Sequence, residues 1–177
     1  MMDTKKLSKK LLQYLLERTS TEHNAFALAI LNKLLPQVIP FNGPLGLKIE
    51  ALTNTRSLVS IPFIRANKNH LGGVHACAMA TVGEYTAGIL ALKHFGAEDY
   101  RLILKNISVD YFKQGRQKLW AEVKVESFPE KGDAFDLHLV THLYQSKPTN
   151  ATSAEGPVAT IKTHWQLKKW SLLRSKS

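Results

Sequence analysis

The feature that most constrains the fold of this chain is the segment VHACAMATVGEYTAGILALKHFG, residues 74–96. It is apolar or small at nearly every position and closes on Gly96, which is the pattern of a helix buried on most of its faces. Because the segment also contains His75, Glu84 and several glycines, it suits the interior of a soluble protein better than a membrane span. Such a helix requires other elements to cover it.

The C-terminal half of the chain supplies this cover as strands. Apolar residues alternate with polar ones in three runs, 119–126, 135–139 and 159–167, and this period of two predicts strands with one covered face. The run LILKNISVDYF changes phase between Leu104 and Ile107, which predicts a β-bulge. Two more strands are expected near residues 47–53 and 57–64. Together these elements predict an α+β protein in which a curved antiparallel sheet wraps around a long central helix.

Two helices are predicted ahead of this core. The first is amphipathic, with lysines between leucines at helical spacing (Leu7, Leu11, Leu12, Leu15 and Leu16), and is expected to pack on the body of the protein. Thr19 and Glu22 fit a capping box that opens the second helix, which Pro36 is expected to end. Because no linker or repeat divides the 177 residues, we predict one domain over 1–177, with an N-terminal helical extension (1–36) and a core (45–168).

Charge and cysteine content narrow the classes of partner. The net charge is +10, from 24 Lys and Arg against 14 Asp and Glu, which favours an anionic partner. The lysines are scattered, without the basic stripe interleaved with aromatic residues that single-strand binders use, so nucleic acid is not expected as a partner. The single cysteine, Cys77, excludes an internal disulfide framework and a multi-cysteine metal site. We therefore expect no metal and a reducing, cytoplasmic setting.

The stretch NHLGGVHACAMATVGE, residues 69–84, leads into the central helix and could carry chemistry. Gly72 and Gly73 allow a ligand to approach the backbone, and the first turn of the helix offers unpaired N–H groups to a developing oxyanion. The alternative is an ordinary Gly-Gly turn. Asn69 could hold a carbonyl or a water, or could only shape the turn, and His75 could donate a hydrogen bond or only cap the helix.

Glu84 is a lone carboxylate within the apolar segment, where an unpaired charge is costly. It is therefore either neutralised by a partner in the core or used in chemistry. It follows His75 by nine residues, which on a helix corresponds to about 13 Å along the axis and the opposite side. The two side chains should not share a site within one chain, but they could meet in a dimer.

The spacing of Asn69, His75 and Glu84 resembles that of the hotdog-fold thioesterases related to the phenylacetic-acid-pathway and hydroxybenzoyl-CoA enzymes. The sequence pattern NHLGGVHAxAMATxGEY is also similar to that of a group of bacterial hotdog proteins assigned as thioesterases. The resemblance follows the element order over roughly residues 45–168. It departs from the family pattern at Ala76 and Cys77, which replace two glycines, and at Gly88, where some relatives carry threonine or serine.

The resemblance implies an acyl-CoA or acyl-carrier thioesterase without a cofactor, acting as a homodimer or tetramer. Glu84 would be the nucleophile or general base, Asn69 would orient the carbonyl or water, and His75 would assist as a donor. The oxyanion or substrate site would comprise Gly73, Gly88 and the N–H of Ala76. Contacts with the phosphates of coenzyme A are assigned from charge alone to Lys113, Arg116 and Lys118. A hotdog dehydratase or hydratase, and a non-catalytic binder of acyl thioesters or lipids, remain as alternatives.

Overall fold

The computed structural model describes residues 4–19, 25–148 and 156–174. The helices in these residues are α1 (Thr4–Arg18), α2 (Ala25–Val38), α3 (Ala76–Phe95) and α4 (Trp170–Arg174). The strands are β1 (Lys48–Leu52), β2 (Arg56–Ile61), β3 (Tyr100–Tyr111), β4 (Leu119–Lys124), β5 (Ala134–Tyr144) and β6 (Ala159–Lys169). Two short 3₁₀ helices, Pro40–Leu45 and Arg65–Asn67, lie between these elements.

The six strands form one antiparallel sheet in the order β1-β2-β4-β5-β6-β3, and α3 packs against its inner face. The inward side chains of the predicted strands, such as Leu119, Ala121 and Ile161, are buried in the core around α3. The register of β3 against β6 shifts between Leu104 and Asn106, which confirms the predicted bulge. A long helix wrapped by a curved antiparallel sheet is the hotdog fold, so the predicted fold class is confirmed.

Close contact with the sheet fixes the rotation of α3. A Cβ atom built on Gly83 would lie 2.5 Å from Cγ1 of Ile161 on β6, so only glycine permits this approach. The Thr141 hydroxyl on β5 donates to the Gly83 carbonyl oxygen at 3.1 Å. Because Gly83 faces the sheet, the next residue, Glu84, turns about 100° away from it.

The N-terminal helices pack on the body of the protein, as predicted. Leu12, Leu15 and Leu16 of α1 belong to the buried core, and the Lys93 ammonium on α3 donates to the Leu16 carbonyl oxygen at 2.6 Å. On α2, the Asn32 amide bonds both backbone groups of Ile49 on β1, at 2.7 and 3.0 Å. The extension is therefore joined to both the central helix and the sheet.

Two elements end at residues other than those predicted, and one predicted feature lies outside the described residues. Pro36 does not end α2, which continues to Val38 with the proline in its last turn. The second predicted strand stops at Ile61, just before Pro62, which has no N–H to donate to the ladder. Glu22 of the predicted capping box lies outside the described residues.

Within the described ranges, no helix has the length and apolarity needed to cross a membrane.

Candidate functional site

The loop before α3 is organised by Asn69. Its side-chain oxygen accepts from the backbone N–H groups of Leu71 at 3.0 Å and Gly73 at 3.1 Å. The backbone N–H of Asn69 donates to the Gly73 carbonyl oxygen at 2.9 Å. Gly72 has a φ of 75°, a conformation that favours glycine. Asn69 therefore shapes the loop, and its amide nitrogen remains available for a ligand.

The loop between β3 and β4 packs directly against this helix entrance. The Val74 N–H donates to the Gly115 carbonyl oxygen at 2.7 Å, and a Cβ atom on Gly73 would lie 3.3 Å from the same oxygen. Gly73 is thus a close-packing glycine. The contact brings the exposed Lys113 and Arg116 to the neighbourhood of the entrance.

His75 is the N-cap of α3. Its Nδ1 accepts from the Cys77 N–H at 3.0 Å, which places the proton of the neutral ring on the exposed Nε2. The ring can therefore cap the helix and still donate outward. The N–H of Ala76, the first helical residue, has no acceptor among the described residues. The Tyr111 hydroxyl, at the end of β3, donates to the Ala76 carbonyl oxygen at 2.9 Å.

Glu84 lies in the middle of α3 and lines a cavity of about 460 Å³. Its carboxylate makes no hydrogen bond or ion pair with any other residue that the structure describes, so the alternative of a neutralising core partner has no support. Burial raises the pKa of the Glu84 carboxyl above its usual value. The cavity is lined mostly by apolar and aromatic side chains from α3, β3, β6, α4, the 3₁₀ helix Pro40–Leu45 and the residue before it, Ile39.

The predicted site residues fall into two groups within one chain. Asn69, Gly73, His75 and Ala76 surround the start of α3, whereas Glu84 and Gly88 line the cavity and the first group does not. Gly88 lies one turn after Glu84, where a Cβ atom would be 3.2 Å from Cη2 of Trp165. The missing side chain at this position lets the indole lie against the helix.

The three basic residues assigned to phosphate binding differ in their surroundings. Lys118 forms an ion pair with Glu50 at 3.0 Å and lies over the Trp120 ring. The Arg116 Nε donates to the Gln114 side-chain oxygen at 2.9 Å, while Lys113 is exposed on the same loop. Their role in phosphate binding stays a prediction. In the part of the chain that is described, no three His, Cys, Asp or Glu side chains are grouped as metal ligands.

Sequence reasoning did not identify most of the cavity wall. Trp165 lies in the predicted strand 159–167 but was not connected with Glu84, and Phe41 and Trp170 were not singled out. Phe41 lies in a Pro- and Gly-rich segment between the second predicted helix and the first predicted strand, for which no element was predicted. Its position beside α3 depends on packing of the N-terminal extension, which leaves no local signal in the sequence.

Comparison with known proteins gives a family and a fold. The family described as Domain of unknown function (DUF4442) matches residues 28–161. No curated protein matches the chain. Among solved structures, a protein of unknown function from Pseudomonas aeruginosa, described as a probable thioesterase, is 19% identical with a TM-score of 0.64, covering 80% of this chain and 95% of its own.

Two further structures carry the name thioesterase. A variant of a P. aeruginosa thioesterase is 13% identical with a TM-score of 0.65, covering 84% of this chain and 98% of its own. A thioesterase from Haemophilus influenzae is 12% identical with a TM-score of 0.65, covering 84% of this chain and 94% of its own. At such identities the likeness establishes the fold, and the activity has to be argued from the site.

Proposed function

The chain belongs to the DUF4442 family of domains of unknown function, and from its site we infer that it is a thioesterase that hydrolyses acyl thioesters of coenzyme A or of an acyl carrier protein. The observation that carries this proposal is the Glu84 carboxyl, which lies in an apolar cavity without a partner among the described residues. A raised pKa makes this carboxylate a stronger base than an exposed one.

In the proposed reaction, Glu84 takes a proton from a water molecule as the water oxygen attacks the thioester carbonyl carbon. The carbon–oxygen bond forms, the carbon–sulfur bond breaks, and the proton passes to the departing thiolate, so the products are a carboxylic acid and a free thiol. The Ala76 N–H, with the positive end of the α3 dipole behind it, stabilises the oxyanion. Nε2 of His75 and the amide nitrogen of Asn69 are further donors at this entrance.

The complete site requires two subunits in this proposal. Glu84 and Ala76 are eight residues apart on one helix, which separates them by about 12 Å along the axis. β3 lies at the edge of the sheet, so it can pair with β3 of a second copy.

The two ends of β3 support this arrangement. Its last residue, Tyr111, contacts the helix entrance, while its first residues, Tyr100 and Arg101, line the Glu84 cavity. In an antiparallel pair of β3 strands, the end of one strand lies beside the beginning of the other. The helix entrance of one subunit would therefore approach the Glu84 cavity of its partner.

The substrate class agrees with the charge of the chain. Coenzyme A and acyl carrier proteins are anionic, and a net charge of +10 attracts both. Lys113 and Arg116, on the loop that packs against the helix entrance, are the proposed phosphate contacts. A cytoplasmic setting is proposed because the single cysteine fits a reducing compartment.

The test is a thiol-release assay of purified protein over a panel of acyl-CoA substrates, comparing the wild type with Glu84→Gln. We expect the substitution to lower kcat at least about 100-fold, because it removes the general base while keeping the shape of the side chain. Full activity in the variant would contradict the role of Glu84. Hydration of an enoyl thioester without release of thiol would indicate a hydratase, and tight binding without turnover would indicate a carrier of acyl thioesters.

A further inference from the structure

We propose that the cavity beside Glu84 holds the acyl chain of the substrate and selects linear aliphatic chains of about eight to twelve carbons. This inference rests on the proposed hydrolysis of thioesters, since it names the acyl group that the same site accepts. It also gives a role to the segment between α2 and β1, because Ile39, Phe41 and Asn42 in that segment line the cavity.

The length of the cavity follows from its floor on α3. Glu84, Gly88 and Leu92 all line it, and their spacing of four residues places them on one face of the helix. From Glu84 to Leu92 the helix rises by about 12 Å. Carbon–carbon bonds of about 1.5 Å in a zigzag chain fit roughly ten carbons into that length.

The side wall of the cavity is mainly apolar. Trp165 lies against the helix at Gly88, where no side chain separates the indole from the backbone. Ile89 of α3 and Leu102 of β3 add further apolar lining. A chain of methylene groups can make close contact along such a wall, whereas a charged acyl group would lose its water there and, among the described residues, could meet polar side chains only at Asn42, Glu84, Tyr85, Tyr100 and Arg101.

The outer wall and the far end come from segments outside the strands. Ile39 and Phe41, which follow α2, line the cavity, and Phe41 is 76% exposed and so contributes to its rim. At the end away from Glu84, the indole N–H of Trp170 donates to the Ala97 carbonyl oxygen at 3.1 Å. In this proposal Ala97 and Trp170 form the end wall of the cavity just beyond the end of α3, and this wall limits the length of the chain that the cavity accepts.

The first experiment measures kcat/KM for thiol release from straight-chain acyl-CoA substrates of two to sixteen carbons, with benzoyl-CoA as the single-ring comparison. We expect kcat/KM to rise about fourfold with each added methylene, as burial of one methylene predicts, and to stop rising near ten to twelve carbons. An optimum at acetyl-CoA or benzoyl-CoA, or equal rates for all lengths, would overturn the inference.

The second experiment shortens the cavity with Ala97→Leu. The larger side chain should move the optimum toward chains shorter by about two to four carbons, since it occupies the closed end. The matched control is Ala134→Leu, which adds the same side chain at an exposed position on β5 outside the cavity and should leave the optimum unchanged. An unchanged optimum in a folded Ala97→Leu variant would contradict the assigned end of the cavity.

Binding to Glu84→Gln separates this inference from the proposed function. Two of the three tryptophans line the cavity, so their fluorescence should change when decanoyl-CoA binds and much less when acetyl-CoA binds. Length-dependent binding without thiol release by the wild type would leave the acyl cavity standing and refute hydrolysis. Thiol release without any dependence on chain length would refute the acyl cavity and leave hydrolysis standing.

Discussion

The buried position of Glu84 suits its proposed role as a base but is unfavourable for folding. The carboxyl loses water in an apolar cavity and gains no hydrogen bond or ion pair within the described part of the chain. Because burial raises the pKa of Glu84, the folded protein binds this proton more tightly than the unfolded chain does. Stability therefore falls as the pH rises from the usual value of 4.5 through the raised pKa.

This linkage predicts opposite effects of Glu84→Gln on stability and activity. Above the raised pKa, the variant should melt at a higher temperature than the wild type, by about 2 to 4 °C for each kcal/mol of desolvation relieved. The difference in melting temperature between the two proteins should disappear below about pH 4.5, where Glu84 is protonated in both the folded and the unfolded wild type. Activity of the wild type should increase with pH through a midpoint above 4.5, because the base must be ionised.

The measurements are thermal unfolding from pH 4 to 8 for both proteins and a pH profile of kcat/KM for the wild type. The control is Glu130→Gln, which changes an exposed carboxylate that does not line the cavity and should leave the melting temperature nearly unchanged. A lower melting temperature for Glu84→Gln at pH 8 would mean that the carboxylate has a stabilising partner.

Among single residues, the sequence identified Glu84 as a candidate site residue because a lone carboxylate in an apolar segment is conspicuous. It did not predict the residues around Glu84, since Trp165, Phe41 and Trp170 come from distant parts of the chain. The same limit applies to Lys118, whose charge suggested phosphate binding and whose ammonium is paired with Glu50 on β1. Contacts between side chains far apart in sequence leave no periodic pattern.

Among the elements, α3 carries both halves of the candidate site, one at its start and one at its middle. The apolar composition of 74–96 and the terminal Gly96 predicted this helix, and the period of two predicted the sheet that covers it. The capping role of His75 was one of two interpretations, and its geometry is compatible with both. The predicted end of α2 was wrong, because the helix continues past Pro36 to Val38.

The start of α3 allows the proposed oxyanion donor to be removed without disturbing the helix. Proline is favoured at the first helical position, and the preceding His75 already has an extended backbone, with φ −63° and ψ 139°. Ala76→Pro should therefore fold normally but lack the N–H, lowering kcat by about 10²–10³. The assay is thiol release together with thermal unfolding.

Ala76→Val serves as the matched control because it adds comparable bulk and keeps the N–H. Its activity should stay well above that of Ala76→Pro. Equal activity of the two variants, with both folded, would assign the loss to bulk at the entrance and exclude the Ala76 N–H as the donor.

For the whole molecule, the proposal depends on an interface that one chain cannot form. β3 is an edge strand, Ile107 and Tyr111 in its second half are 38% and 45% exposed, and Phe112 just after it is 61% exposed. An apolar edge of this kind is a site for pairing with another strand. The sequence indicated a dimer through the separation of His75 and Glu84 along the helix and through the family resemblance, since an interface between copies has no signature within a single strand.

A subunit-mixing experiment tests whether the site is shared. Ala76→Pro and Glu84→Gln are each expected to be inactive alone, because each dimer then lacks one half of both sites. In a mixed dimer one site carries both changes and the other carries neither. If mixing is random, half of the dimers are mixed, so activity should return to about a quarter of the wild-type value.

If Ala76 and Glu84 of the same chain formed one site, every mixed dimer would contain two damaged sites and activity would stay at the level of the variants. The proteins should therefore be unfolded and refolded together, and compared with the same two variants refolded separately and then combined. If activity returns only in the sample that was refolded together, Glu84 of one chain and the helix entrance of another must act on the same thioester.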